Sequence, residues 1–408
     1  MTKHFSGNRI TCGCALYLAV AMGVIGIYIT SIAYLPEAYG ISLTELGALG
    51  VIMPVSCTVA SLGLTSVRRF LSSKGCLILG SAVVIAQAFV LRLCPGKLYA
   101  LVFTLFTGGL ISGLAAHTVV SDIVSHWYTA KRAERIALVL GAAPFGSALS
   151  QFAAGHVLER FDFFTGAFML YLTVGVLMLL FVVILISSST PERIGQRPFG
   201  EEESPRQTIK TAEVQSDRPP LYRAAAFWCL IAATLLSAGN TAYIQSYATT
   251  YFMQEGMRIS SAASVLSAAS ICSGLFLLIS GKTLNYLRPR RFLMLLVAAV
   301  VVANLSMILY GATHSVLAVV PVVIGSGIGG MIPSVGNLIC GPFFGQRDAT
   351  NAASKCYAAY SGANMALQPI CAAIADGYGF SVMYVFVAGL CALSSVFYFL
   401  ASSRASVS

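Results

Sequence analysis

The chain has 408 residues, of which 57% are hydrophobic and 10% charged, and its mean hydropathy is +0.81. A soluble domain carries roughly 25% Asp, Glu, Lys and Arg, so a large water-soluble enzyme, a disordered chain and a fibrous chain are all excluded. Long unbroken apolar runs stand where a transmembrane β-barrel would show alternating segments of about ten residues. An all-α membrane protein with many crossings remains.

At about 20 apolar residues per crossing, the pattern predicts twelve transmembrane helices. They fall at 12–35, 45–65, 75–93, 99–126, 136–157, 164–187, 223–250, 260–281, 292–311, 315–344, 356–376 and 381–401. The first run, Cys12 to Leu35, is too long for a signal-peptide core and lacks a small-residue cleavage site. One long polar stretch interrupts the series. It contains Glu201-Glu202-Glu203, Pro191, Pro198, Pro205 and Pro219-Pro220, a composition that favours a linker. The expected organisation is an N-terminal six-helix bundle over 1–188, a cytoplasmic linker over 189–222 and a second six-helix bundle over 223–408.

The net charge of +10 would suit nucleic acid or an anionic surface, and its placement decides between them. Segments 1–11, 66–74, 127–135, 186–223, 282–291, 345–355 and 402–408 hold 21 of the 25 Lys and Arg, leaving Arg92, Lys97, Arg160 and Arg258 for the opposite side. This asymmetry is the positive-inside signal. It predicts a multi-pass protein of the cell (inner) membrane with both termini cytoplasmic, and nucleic acid drops out as a partner. The eleven cysteines are scattered through apolar runs without metal-site spacing. They read as small buried hydrophobes, so no metal and no cofactor are expected.

The two halves repeat at a shift of 217 residues. Gly108 falls on Gly325, Gly113 on Gly330, Trp127 on Phe344, Gln151 on Gln368, Glu159 on Asp376 and Arg68 on Asn285. Parallel repeats of six helices joined by a cytoplasmic linker suit a rocking secondary transporter.

The loop after the second crossing contains Gly63 and Arg68-Arg69. Its repeat after the eighth contains Gly281, Lys282 and Arg288-Pro289-Arg290-Arg291. In this the chain resembles the major facilitator superfamily over nearly its whole length, although Arg68 and Asn285 stand at that family's aspartate positions. Trp127-Tyr128-Thr129-Ala130-Lys131-Arg132 and the stretch Tyr222 to Trp228 are similar to the oxalate/formate antiporter and monocarboxylate transporter branch. The resemblance implies two bundles around a central cavity and a mono- or dicarboxylate cargo. That branch holds its carboxylate with a buried Arg in the eighth crossing and, in some members, a Lys in the eleventh. Leu277 and Tyr360 stand near those places here.

An ionisable side chain within a bilayer costs about 2.5–3.5 kcal/mol on insertion scales, so each one needs a reason. Asp122 lies five residues before Trp127, roughly 7.5 Å along the helix. It is a candidate coupling or gate residue together with Arg68, Arg132 and Arg290. His117, deeper in the same crossing, is a candidate for proton coupling or substrate contact. Asp376, beside Gly377, reads as a capping or interfacial acid. Neutral polar groups supply the remaining cavity candidates: Tyr28, Gln151, Asn240, Gln245, Asn337, Tyr357, Tyr360, Asn364 and Gln368. The last four recur every three or four residues, which sets a polar stripe along one helical face.

The expected activity is secondary active transport of a small organic solute by alternating access, coupled to protons or a counter-substrate, with the lipid bilayer as surroundings and a monomer as the working unit. Two alternatives remain open: a proton-coupled exporter of neutral or amphipathic compounds, and a transport-dead membrane sensor. An enzyme is not expected, because no metal cluster, paired-acid motif or nucleophile with its base is found at membrane depth.

Overall fold

The computed structural model describes residues 2–128, 132–196, 198–199, 224–286 and 288–405. Of some helical stretches within these, 240–246, 333–338 and 345–351 among them, it describes the backbone alone. The described chain is helical almost throughout, with a single isolated bridge pairing Tyr128 and Phe199. Among the described residues, nine stretches are long and apolar enough to cross a membrane, and Ala225–Gly239 and Val316–Gly329 are shorter apolar helices.

The chain divides into two compact units, Met1–Gly40 with Ile52–Thr211, and Ile41–Val51 with Ala212–Ser408. The first ten helices in chain order are α1 (Thr2–Ser31), α2 (Leu35–Tyr39), α3 (Leu43–Gly50), α4 (Ile52–Phe70), α5 (Ser73–Leu93), α6 (Leu98–Leu114), α7 (His117–Trp127), α8 (Arg132–Gly141), α9 (Ala143–Arg160) and α10 (Phe163–Ile184). All but α3 belong to the first unit. A short 3-10 turn, Pro191–Ile194, follows.

One predicted crossing is broken: the fourth leaves the helical conformation at Ala115–Ala116, between α6 and α7. The second and the fifth lose regular helical bonding for one residue, at Val51 between α3 and α4 and at Ala142 between α8 and α9, while the backbone there keeps helical dihedrals. Pro144 accounts for the fifth, since a proline near a helix start has no N–H to give the preceding turn. Elsewhere local chemistry marks the ends. Ser42 and Glu45 form a reciprocal capping box on α3, Ser72 accepts the Gly75 N–H at 3.1 Å, and Asp162 accepts the Thr165 N–H at 3.0 Å.

Between membrane helices, packing and hydrogen bonds replace the hydrophobic drive of water-soluble cores, and small residues let backbones meet. A Cβ on Gly146 of α9 would overlap the Ala19 carbonyl of α1, and one on Gly109 of α6 would overlap Ser56 and the Met53 carbonyl of α4. At the end of the first unit that carries its basic loops, the chain after α10 folds back. Trp127 Nε1 donates to the Ser188 carbonyl at 3.2 Å, Phe199 N donates to the Trp127 carbonyl at 2.8 Å, and the Phe199 ring stacks on Trp127 at 6.3 Å.

The second unit contains α3 and six further helices: α11 (Ala225–Gln254), α12 (Ile259–Tyr286), α13 (Pro289–Thr313), α14 (Val316–Gly329), α15 (Ile332–Tyr378) and α16 (Phe380–Ala405). The cluster around Gly325, Gly327 and Gly330 packs α14 against α13 and α12. Gly325 lies on Ala299 and Ala303, Gly327 on Ala269 and Cys272, and Gly330 on Ser273.

The helix α15 has 47 residues without interruption, which would run about 70 Å if straight, more than twice the hydrocarbon thickness. It is not straight. The Cys340 and Cys356 side chains hydrogen-bond to each other, whereas that spacing along a straight helix would part them by about 24 Å. The chain therefore doubles back between them, at the place where the sequence predicts a loop over 345–355. The tenth and eleventh crossings lie on either side of the reversal.

Candidate substrate and gating residues

Within the first unit, His117 opens α7 directly after the Ala115–Ala116 break, and it is exposed. It stands ten residues before buried Trp127, roughly 15 Å along the helix and so near mid-membrane depth. Ala116 gives the new helix no side-chain cap, and the first amides of any helix lack intrahelical acceptors. The start of α7 thus presents polar N–H groups beside an exposed imidazole. Tyr28 is half-buried on α1. Gln151 is 2% exposed, and its amide donates to Ser147 Oγ one turn earlier at 3.3 Å. It lies at the helical packing level of α9, where the tight α1 contact forms.

Asp122 is half-buried, and its partners come from two elements. Ser73, the first residue of α5, donates to Asp122 Oδ2 at 2.9 Å. His126 places Nδ1 3.7 Å from the same oxygen and 2.8 Å from the Asp122 carbonyl. A carboxylate at the start of α5 faces the positive end of that helix dipole, so Asp122 ties α7 to α5. The i,i+4 relation of Asp122 and His126 could be read from sequence; Ser73, 49 positions away, could not.

In the second unit, Tyr360, Asn364 and Gln368 are half-buried along α15. The side-chain amide oxygen of Asn364, Oδ1, is buried with no hydrogen-bond partner among the described residues. Asn240 and Gln245 lie in α11, and Asn337 and Tyr357 in α15; their side chains fall outside the described residues. The same holds for Arg68 in α4 and Arg132 in α8. Arg290 is exposed near the start of α13, and its guanidinium lies 3.9 Å from the centroid of the Phe399 ring of α16. That cation–π contact pins α13 to α16.

Asp376 is the acid whose partner sequence reasoning missed. It caps a helix other than its own: its carboxylate accepts from the backbone N–H and the hydroxyl of Thr44, the second residue of α3. Separation along the chain hides such a pair from any local pattern.

Two compact units and nine stretches among the described residues long and apolar enough to cross a membrane define a multi-pass helical membrane protein. The family model of the Major Facilitator Superfamily matches residues 14–354, and the chain belongs to that superfamily. It is a secondary transporter of small molecules, not an enzyme. No curated protein matches the sequence. Among solved structures, a D-xylose-proton symporter aligns with a TM-score of 0.76 at 13% identity, covering 96% of this chain and 97% of the symporter. The nucleoside transporter NupG gives 0.70 at 11% identity, with 96% and 98% covered. A POT family transporter in complex with 5-aminolevulinic acid gives 0.71 at 13%, with 99% and 97% covered. At these identities the likeness is one of fold.

Proposed function

We propose that the protein carries a small organic anion, a mono- or dicarboxylate, across the inner membrane by alternating access, as a monomer with both termini in the cytoplasm. The observation that carries this reading is exposed His117 at the start of α7. An imidazole facing lipid at mid-depth is costly, so an exposed one belongs to a water-filled cavity. The uncapped amides beside it supply positive potential, and the N-termini of broken membrane helices meet anionic groups in this way. That arrangement answers the lack of an Arg at Leu277 or a Lys at Tyr360, the places where the oxalate/formate and monocarboxylate branch grips its cargo. The aromatic-basic stretch Trp127 to Arg132 supports the same branch.

A second reading has its own support. The stripe Tyr360, Asn364 and Gln368 is uncharged, and such groups suit a neutral or amphipathic compound moved with protons. The sugar and nucleoside carriers that share the fold are consistent with that cargo, although fold alone does not choose a substrate.

Counterflow in proteoliposomes decides between them, with labelled carboxylates and neutral solutes offered at two pH values. Saturable exchange of a carboxylate, weakened at least about tenfold in His117→Phe and less in His117→Gln, is the expected result. Exchange of neutral solutes alone would replace it with the second reading. Failure of every solute in a broad panel would favour a transport-dead sensor.

A further inference from the structure

Cys340 and Cys356 are sixteen positions apart in α15, and the reversal of the chain between them brings their side chains into hydrogen-bonding contact. They are 1% and 2% exposed. The pair is built into a polar cluster that three helices share. Cys356 also hydrogen-bonds to the hydroxyl of Thr234 on α11, and that hydroxyl donates to the Leu230 carbonyl at 2.8 Å. A threonine hydroxyl has one proton, so the Thr234 oxygen accepts from the Cys356 thiol and the Cys356 sulfur accepts from the Cys340 thiol. The hydroxyl of buried Tyr398 on α16 joins the cluster through Thr234 and through Ser237, the latter at 3.3 Å.

A buried cysteine by itself acts as a small hydrophobe, and Cys14, 0% exposed on α1, is such a residue. A thiol with a second thiol in contact has a further chemistry, because the oxidised form of one condenses with the other. A disulfide holds its sulfurs at about 2.05 Å, and thiols that already touch approach that distance by side-chain rotation. Water is close to one of the two. Lys355, the residue before Cys356, is exposed, whereas Ile339, beside Cys340, is buried. Cys356 is therefore the sulfur nearer to a soluble oxidant, with Cys340 placed to resolve it.

We propose that Cys340 and Cys356 form a reversible, peroxide-responsive dithiol whose oxidation staples the tenth crossing to the eleventh. The Cys356 sulfur attacks one oxygen of hydrogen peroxide, the O–O bond breaks, and the thiol proton leaves with the departing hydroxide as water. The Cys340 sulfur then displaces hydroxide from the sulfenic acid, and its own proton completes a second water. Two thiols are oxidised to one disulfide, and one peroxide is reduced. A glutathione-type thiol restores the pair by exchange, two such thiols becoming one oxidised dimer. With the basic loops in the cytoplasm, as proposed above, the thiol pool keeps the pair reduced until peroxide rises. The site is separate from the cargo residues, so a failed test here leaves the substrate reading standing, and the reverse holds too.

The test uses the purified full chain, freed of reductant and exposed to hydrogen peroxide. Remaining thiols are blocked with N-ethylmaleimide in denaturant, and the peptides are read by mass spectrometry. A peptide linking Cys340 to Cys356 should form at least about tenfold faster than Cys14 is oxidised, and glutathione should remove it. In Cys340→Ser the sulfenic acid on Cys356 has no resolving thiol and should take up dimedone; Cys340→Ala serves if the serine variant does not fold. Both thiols still free once Cys14 has reacted would overturn the proposal. So would linkage of either to another cysteine, or their oxidation to sulfinic acid with no linked peptide.

Discussion

Gly146 and Gly389 differ in what surrounds them, and that difference sets opposite outcomes for the same substitution. A Cβ at Gly146 overlaps the Ala19 carbonyl, whereas one at Gly389 meets nothing within 4 Å. Gly146→Ala forces α1 and α9 apart and is expected to cost about 1–3 kcal/mol. Gly389→Ala, in the open interior of α16, is expected to leave stability unchanged or to raise it by about 0.5–1 kcal/mol through helix propensity. Thermal unfolding of the two variants in one detergent checks the pair, and a lower midpoint for Gly389→Ala would contradict it. Trp127 gives a second case. It is fully buried, its Nε1 donates to Ser188, and its ring stacks on Phe199. Trp127→Phe loses one hydrogen bond, about 1 kcal/mol, while Trp127→Ala loses the ring as well, about 3–5 kcal/mol. The same unfolding measurement should order them so.

At the scale of elements, caps and breaks carry the argument. The Thr165 N–H beside Asp162 holds its carboxyl below the usual aspartate range. A carboxylate with a depressed folded pKa stabilises above its ordinary range, and that contribution is lost as pH falls through the folded value. The start of α10 is therefore expected to loosen only in acid below the usual carboxylate range, and Asp162→Asn should flatten that acid limb. Amide exchange of Thr165 and Gly166 against pH reads it directly. The break between α6 and α7 has no proline or glycine at Ala115–Ala116 to announce it, and the sequence accordingly predicts one helix over 99–126. At the break Ala115 lies against Gly80 of α5, where an added Cβ would overlap it. Hydropathy alone cannot register such a contact between crossings. The reversal inside α15 is the converse case. Polar composition predicts a loop over 345–355, and the chain turns between Cys340 and Cys356, whose side chains meet.

At the scale of the whole molecule, charge asymmetry makes a prediction about orientation. With 21 of 25 basic residues assigned to one side, a fluorescent protein fused after Ser408 should mature in the cytoplasm, and alkaline phosphatase fused there should stay inactive. Fusions in the 94–97 turn should behave in reverse. Active phosphatase at the C-terminus would invert the topology.

Hydropathy, charge placement and the 217-residue repeat are enough by themselves to determine an all-α membrane transporter, because the bilayer demands long apolar helices and leaves little choice of architecture. They also mark Asp122, His117 and the stripe from Tyr360 to Gln368 as polar groups that need a reason to lie at membrane depth. What those groups touch was decided only by tertiary structure. Gln151, a match to Gln368 in the repeat, is packed beside Ser147 at 2% exposure, while Gln368 is half-buried. Asp122 meets Ser73, and Asp376 meets Thr44 across 332 positions of chain. A hydrogen bond depends on distances of about 3 Å, and contacts so far apart in sequence leave no periodic trace along it.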